Sequence, residues 1–346
     1  MTTDVKLNRN KKQFYFINKT DVYSDNVLYI FEEMIMFHLW SVLQWYLRPF
    51  IKWFLRKTTK LCELQRICYG DKPGAERTRN VEKSLMLSRT RDVQEVVTFL
   101  DTVVRERRFV ARNFREILDP SINIIVRVKK INPKLHGPFV VSFRRCLEQI
   151  WSYKCLVDDV ERLRQTQFDS NNDEHENKLL KLWSLLVPHV TLDARVTKQW
   201  QYIGFQGDDP KTDFRGMGIL GLDNLLYFAM EYPQISSHVL SHSLHPKYGY
   251  TYAIVGINIT SMAYFLLKDG SAKTYMFNAK QYLPNVNLFH KFYCYLFYEF
   301  DKMWIESKPE NIMEFSEIFK RFENAVRMAL ADPASVFRIN INVDNV

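Results

Sequence analysis

A chain of 346 residues with 47% hydrophobic and 14% aromatic residues, but only 11 Gly and 12 Pro, can fill a large core and is neither a disordered tail nor a collagen-like repeat. Its net charge of +9 is uneven: residues 1–150 carry 28 Lys and Arg against 16 Asp and Glu, and the remainder carries 20 against 23. Zinc-finger, RNP and basic-zipper patterns are missing, so the basic half is expected to meet a membrane surface rather than nucleic acid.

Residues 1–25 read as a variable, flexible arm. They lack a basic n-region leading into an apolar h-region, so no secretory signal is expected. Residues 26–69 form an aromatic and basic amphipathic helical segment. Within it Met34–Leu47 is uncharged over 14 residues, where a membrane-spanning helix needs about 20. Arg48, Lys52, Arg56, Lys57 and Lys60 follow. This segment either lies in a membrane interface, with Trp40, Trp45, Tyr46 and Trp53 at headgroup level, or packs on the domain.

Residues 70–335 are expected to be the helical body and 336–346 a C-terminal tail. "GDKPGAERT", Gly70 to Thr78, is turn chemistry at the entrance to the body. Val93, Val96, Val97, Leu100, Val103 and Val104 recur at i, i+3, i+4 spacing and predict an amphipathic helix. After a break at Ile131–Phe139, the periodic run from Phe143 to Leu163 predicts a long buried helix. "DSNNDEHEN", Asp169 to Asn177, reads as a surface loop leading into a helix through Trp183 and Leu186. Further helices are predicted at Leu222–Tyr232, Val255–Leu267, Asn287–Trp304 and Ile312–Leu330. Only "SVFRININV" near the C-terminus alternates weakly with period 2, so the fold class is all-α.

Five cysteines, Cys62, Cys68, Cys146, Cys155 and Cys294, contain no C-x-x-C pair. They suggest neither a disulfide framework nor a four-cysteine zinc site, and fit a reducing compartment. Cys68 and Cys294 read as buried apolar residues rather than nucleophiles. His238, His242 and His245 cluster without the Glu of H-E-x-x-H, so no metal site is assigned to them.

The densest signal is "WQYIGFQGDDPKTDFRGMGILGLDNLLYF", Trp200 to Phe228. Gly216, Gly218 and Gly221 have G-x-G-x-x-G spacing, but a dinucleotide site needs a preceding buried strand and an acid about 20 residues on. Here Asp208, Asp209 and Lys211 precede the glycines and no acid lies near 241. A G-x-x-x-x-G-K-[ST] phosphate loop is absent too. What remains is Arg215 in a turn where Pro210 fixes φ, Thr212 or Asp213 can cap, and Gly216 and Gly218 leave room for a foreign surface. That arrangement suits an arginine finger. The competing reading pairs Arg215 with Asp209 or Asp213 as an ordinary surface ion pair and lets the glycines pack helices closely.

The run Trp200, Gly204, Phe205, Gln206, Pro210, Thr212, Asp213, Arg215, Gly216, Gly218, Leu222 and Leu225 resembles the signature of the ELMO (engulfment and cell motility) domain in its GTPase-activating form, the ELMOD proteins. "CELQRICYGDKPGAERT", "HPKYGYTYAIVGINITSMAY" and "FYCYLFYEFDKMW" are similar to ELMOD sequences as well. The resemblance implies a compact multi-helix ELMO-type domain that activates GTP hydrolysis by Arf and Arf-like small GTPases, with Arg215 as the catalytic arginine. Gln206, Asp209, Thr212, Asp213, Gly216 and Gly218 are expected to touch the GTPase or position the loop. Trp200, Gly204, Phe205, Pro210 and Leu222 are expected to anchor it by packing. No metal or cofactor is expected on this chain, since GTP and Mg²⁺ belong to the partner. The protein is expected to be cytoplasmic and peripheral on intracellular membranes. The alternatives are a non-catalytic adaptor that holds a small GTPase at membranes, and a membrane-anchored structural protein in which Trp200–Phe228 is tight packing.

Overall fold

The computed structural model describes residues 46–109, 113–279 and 283–337. The chain divides between Glu63 and Leu64 into a small N-terminal unit and a large second unit. In the first unit residues 46–59 are helical, and Arg48 and Lys52 reach the Glu63 carboxylate at 3.1 and 2.5 Å. Most of the aromatic Met34–Leu47 stretch, including Trp40 and Trp45, lies outside the described residues.

Helices build the second unit, and no strand forms among its described residues. They are α1 (Glu63–Gly70, whose first residue is the last of the first unit), α2 (Ala75–Met86), α3 (Arg91–Arg105), α4 (Phe114–Val128), α5 (Gly137–Gln165), α6 (Asp173–Leu186), α7 (Gly218–Glu231), α8 (Pro233–Ser243), α9 (Tyr252–Lys268), α10 (Lys273–Asn278), α11 (Val286–Ser307) and α12 (Phe315–Ala331). In α3 the valine periodicity does what it predicts, with Val93, Val96, Leu100 and Val103 on the buried face.

α5 is the axis of the fold. It begins with Pro138 in its first turn, where a missing N–H costs nothing, and runs 29 residues. α2, α3, α4, α7, α9, α10 and α11 all contact it. α7 is the second buried element, carried by Ile219, Leu220, Leu222, Leu225 and Phe228 and covered by α5, α6, α9 and α11. Removing one such side chain would cost about 2–5 kcal/mol through lost transfer energy and the cavity left behind.

Two sequence boundaries shift. The turn after Gly70 ends sooner than Thr78, because α2 starts at Ala75, whose N–H is accepted by the Asn278 side chain at 2.9 Å. The polar stretch from Asp169 is shorter as a loop, since Asn172 caps α6 by accepting from the Glu174 N–H and three acids occupy the first turn. Of the alternating C-terminal run, Ser335–Phe337 forms no strand and the rest lies outside the described residues.

Candidate functional site

Between α6 and α7 the chain makes two 3₁₀ turns, Lys198–Ile203 and Pro210–Arg215. Thr197 caps the first by accepting from the Gln199 N–H, and Gly204 ends it at φ +84°. A Cβ at Gly204 would lie 2.3 Å from the Tyr252 nitrogen, so only glycine lets this turn rest on the start of α9. Trp200 is fully buried, and its indole N–H donates to the Arg195 carbonyl at 2.9 Å. Trp183, Trp200, Phe205, Phe214 and Phe168 form a chain of ring contacts with centroids 5.4 to 5.9 Å apart. This aromatic floor holds both turns.

The second turn carries Arg215. Asp209 is its N-cap, accepting from the Lys211 N–H at 3.0 Å, and Pro210 occupies the first helical position. Thr212 donates its hydroxyl weakly to the Asp209 carbonyl at 3.5 Å. The Asp213 carboxylate accepts from the Gln206 N–H at 3.0 Å and so ties the turn to the preceding segment. Burial pushes the Asp213 pKa up, opposed by that hydrogen bond and by the field of Arg215.

Arg215 itself is exposed. Its Nε donates to the Thr212 carbonyl at 3.0 Å. Among the described residues it forms no ion pair: Asp209 is taken by Arg195 at 3.0 Å, and Asp213 by a backbone amide. The ordinary surface pair considered from sequence is therefore not the arrangement found. Neither Nη group has a hydrogen-bond partner among the described residues, which leaves a fork of donors on an exposed side chain at the end of a braced turn.

The glycines separate into different roles. Gly216 is exposed, and an added Cβ there would meet nothing within 4 Å. Gly218 is buried at φ +54°, with a Cβ position 2.3 Å from the Arg164 carbonyl and 2.4 Å from that of Thr166. The close approach at Gly218 is thus to the end of α5 in the same chain, and not to a foreign surface; the next amide, Ile219 N–H, donates to Thr166 at 2.8 Å. Gly221 lies against Phe214 and Ile257 inside the core. A 3₁₀ turn, and no strand, precedes them, as the rejection of a dinucleotide site requires.

Two residues escaped the sequence reading. Arg195, from the loop before the first turn, bonds Glu176 of α6 and Asp209 together and sits over the Phe168 ring at 5.7 Å. Burial opposes its charge, but the two carboxylates outweigh that and raise its pKa. The Thr197 N–H also donates to the Asp208 carbonyl at 2.9 Å, so the loop and the turn are joined by backbone as well.

The remaining candidates serve the fold. The His242 ring lies 2.7 Å from the buried Asp301 carboxylate, which also accepts from Tyr250 at 2.6 Å. Nδ1 of His245 accepts from the Lys247 and Tyr248 amides. Among the described residues no three metal-ligating side chains come together. The Cys68 thiol, hydrogen-bonded with Cys146 and buried, and the fully buried Cys294 thiol both have raised pKa values, opposite to what a nucleophile needs.

The ELMO/CED-12 family model matches residues 158–319, which run from the end of α5 through α6, both 3₁₀ turns and α7 to α11 into the start of α12. ELMO domain-containing protein 1 of Mus musculus is 44% identical over 294 residues, covering 80% of this chain and 86% of the relative. ELMO domain-containing protein 2 of Homo sapiens is 46% identical over 274 residues (79% and 88%), and ELMO domain-containing protein B of Dictyostelium discoideum is 35% identical over 270 (76% and 88%). With that identity extending well beyond the two turns, the chain belongs to the ELMO domain-containing family.

Proposed function

We propose that this chain is a GTPase-activating protein for Arf and Arf-like small GTPases and supplies Arg215 in trans. The observation that carries the reading is the state of Arg215: an exposed guanidinium that makes no ion pair among the described residues, with Asp209 paired to Arg195 and Asp213, which feels the Arg215 charge, bonded to the Gln206 amide instead. A finger must meet negative charge that develops on the phosphate oxygens in the transition state, so it must not be neutralised beforehand by its own chain. The Nε bond to Thr212 fixes the plane of the guanidinium and leaves its two Nη groups to bridge a pair of oxygens. The nucleotide, its Mg²⁺ and the water-orienting residue are the partner's. The choice of Arf-type GTPases rests on the resemblance of the Trp200–Leu225 motif to the activating branch of the family.

The test is single-turnover hydrolysis by a panel of GTP-loaded Arf and Arf-like proteins with and without the full chain. We expect at least one to be accelerated by about 10³ or more at saturation. If the chain bound a GTPase while accelerating none, the adaptor reading would replace this one.

A further inference from the structure

The helix at residues 46–59 is not used by the site above, and its surface is unusual. Leu47, Phe50, Ile51, Trp53 and Phe54 are 44%, 61%, 48%, 57% and 52% exposed. At 100° per residue these five side chains and Tyr46 occupy a continuous sector of about 160°, wider than the seam of a paired helix. Phe50 and Trp53 stack on one another with centroids 6.0 Å apart, so the aromatics form one surface. Arg48, Lys52 and Leu55 fall on the opposite side and are only partly exposed, and both cations are held there by Glu63. Lys57 falls inside the apolar sector one turn beyond Trp53, and Lys60, at φ +59°, ends the helix.

Charge decides among occupants. Residues 46–60 contain Arg48, Lys52, Arg56, Lys57 and Lys60 and no acid. Arg48 and Lys52 are taken by Glu63 on the opposite side, so the cations beside the apolar sector are Lys57, inside it, and Lys60, at its edge; anionic headgroups over acyl chains match that combination of apolar surface and lysine. Aromatic rings with Lys at one end are the side chains that settle at the boundary between headgroup and acyl chain. No helix among the described residues is long and apolar enough to cross a membrane.

We propose that the helix at residues 46–59 docks flat on an anionic lipid bilayer, with Leu47, Phe50, Ile51, Trp53 and Phe54 in the headgroup–acyl boundary and Lys57 and Lys60 on lipid phosphates. The inference is independent of the GTPase reading, since it concerns the N-terminal unit alone and its readout is lipid binding.

The experiment is co-sedimentation of the full chain with phosphatidylcholine vesicles, with and without phosphatidylserine, at low and high salt. The chain is expected to pellet with phosphatidylserine vesicles and to be released by salt. Lys57→Gln with Lys60→Gln should weaken this binding about tenfold or more. Phe50→Ser with Trp53→Ser should abolish it while circular dichroism and the thermal midpoint of the body stay unchanged. The proposal is overturned if the wild type ignores both vesicle types, or if both double variants bind as well as the wild type. It is equally overturned if the wild type is a dimer in solution that the Phe50/Trp53 variant dissolves, because the face would then be covered by a second copy.

Discussion

The guanidinium of Arg195 donates to the carboxylate of Asp209 at 3.0 Å while also bonding Glu176, so one side chain links α6 to the cap of the turn that presents Arg215. The cluster is partly buried, and one Arg195 nitrogen and one Glu176 oxygen have no partner within it. Such a clamp positions rather than reacts. Replacing Arg195 with Met should leave Asp209 to cap Lys211 alone and loosen the turn. We expect the saturating rate of GTP hydrolysis to fall about tenfold at unchanged affinity for the GTPase, with a stability loss of about 1–2 kcal/mol. Hydrogen exchange over residues 206–216, measured without any GTPase, should quicken in the variant. Unchanged exchange there would remove Arg195 from the account even if the activity itself were lost.

Gly216 and Gly218 should respond oppositely to the same substitution. Gly218→Ala forces a Cβ to 2.3 Å from a carbonyl oxygen at positive φ, and should cost at least about 3 kcal/mol in denaturant melts. Gly216→Ala meets no neighbour and has right-handed helical backbone, so stability should change by less than about 1 kcal/mol. If the GTPase seats on this turn, Gly216→Ala should still weaken activation. A variant of normal stability and normal activity would place Gly216 outside the contact.

His290 gives the fold a pH signature. Its Nδ1 lies 2.7 Å from the Asn224 side-chain oxygen, the ring stacks on Tyr227 at 4.9 Å, and burial lowers its pKa to about 4. Because the unfolded chain binds the proton near pH 6.5 and the folded chain near 4, stability should be complete above about pH 6.5 and decline as pH falls toward 4. In thermal melts across that window, His290→Gln should flatten the slope. Equal slopes for both proteins would mean that His290 is not the group responsible.

Much of the helical fold was legible because the periodic runs are long: Val93 to Val104 and Phe143 to Leu163 each mark a face that must be buried. What escaped was set by partners distant in sequence. The start of α2 depends on a side chain 203 residues away, and α6 starts inside a stretch that reads as a polar loop because acids near a helix N-terminus look the same as acids in a loop. At the site, Pro210, the capping candidates and the glycines pointed to the turn that carries Arg215, but Arg195 sits alone between polar residues, 19 positions from Glu176 and 14 from Asp209. No local pattern marks it. Gly218 was left between two readings for a related reason: its partners, the carbonyls of Arg164 and Thr166, lie at the far end of another helix, so the sequence alone could not separate close packing on its own chain from space for a foreign one.

The measurement that bears most directly on the central claim is single-turnover hydrolysis by a responsive Arf-type GTPase at saturating concentrations of wild type, Arg215→Ala and Arg215→Lys. Arg215→Ala is predicted to keep its fold and its affinity for the GTPase yet lose about 10³ or more of the acceleration, and Arg215→Lys to recover only a small part, since an ammonium cannot bridge two oxygens in a plane. Full acceleration by both variants would contradict the assignment of Arg215 as the finger.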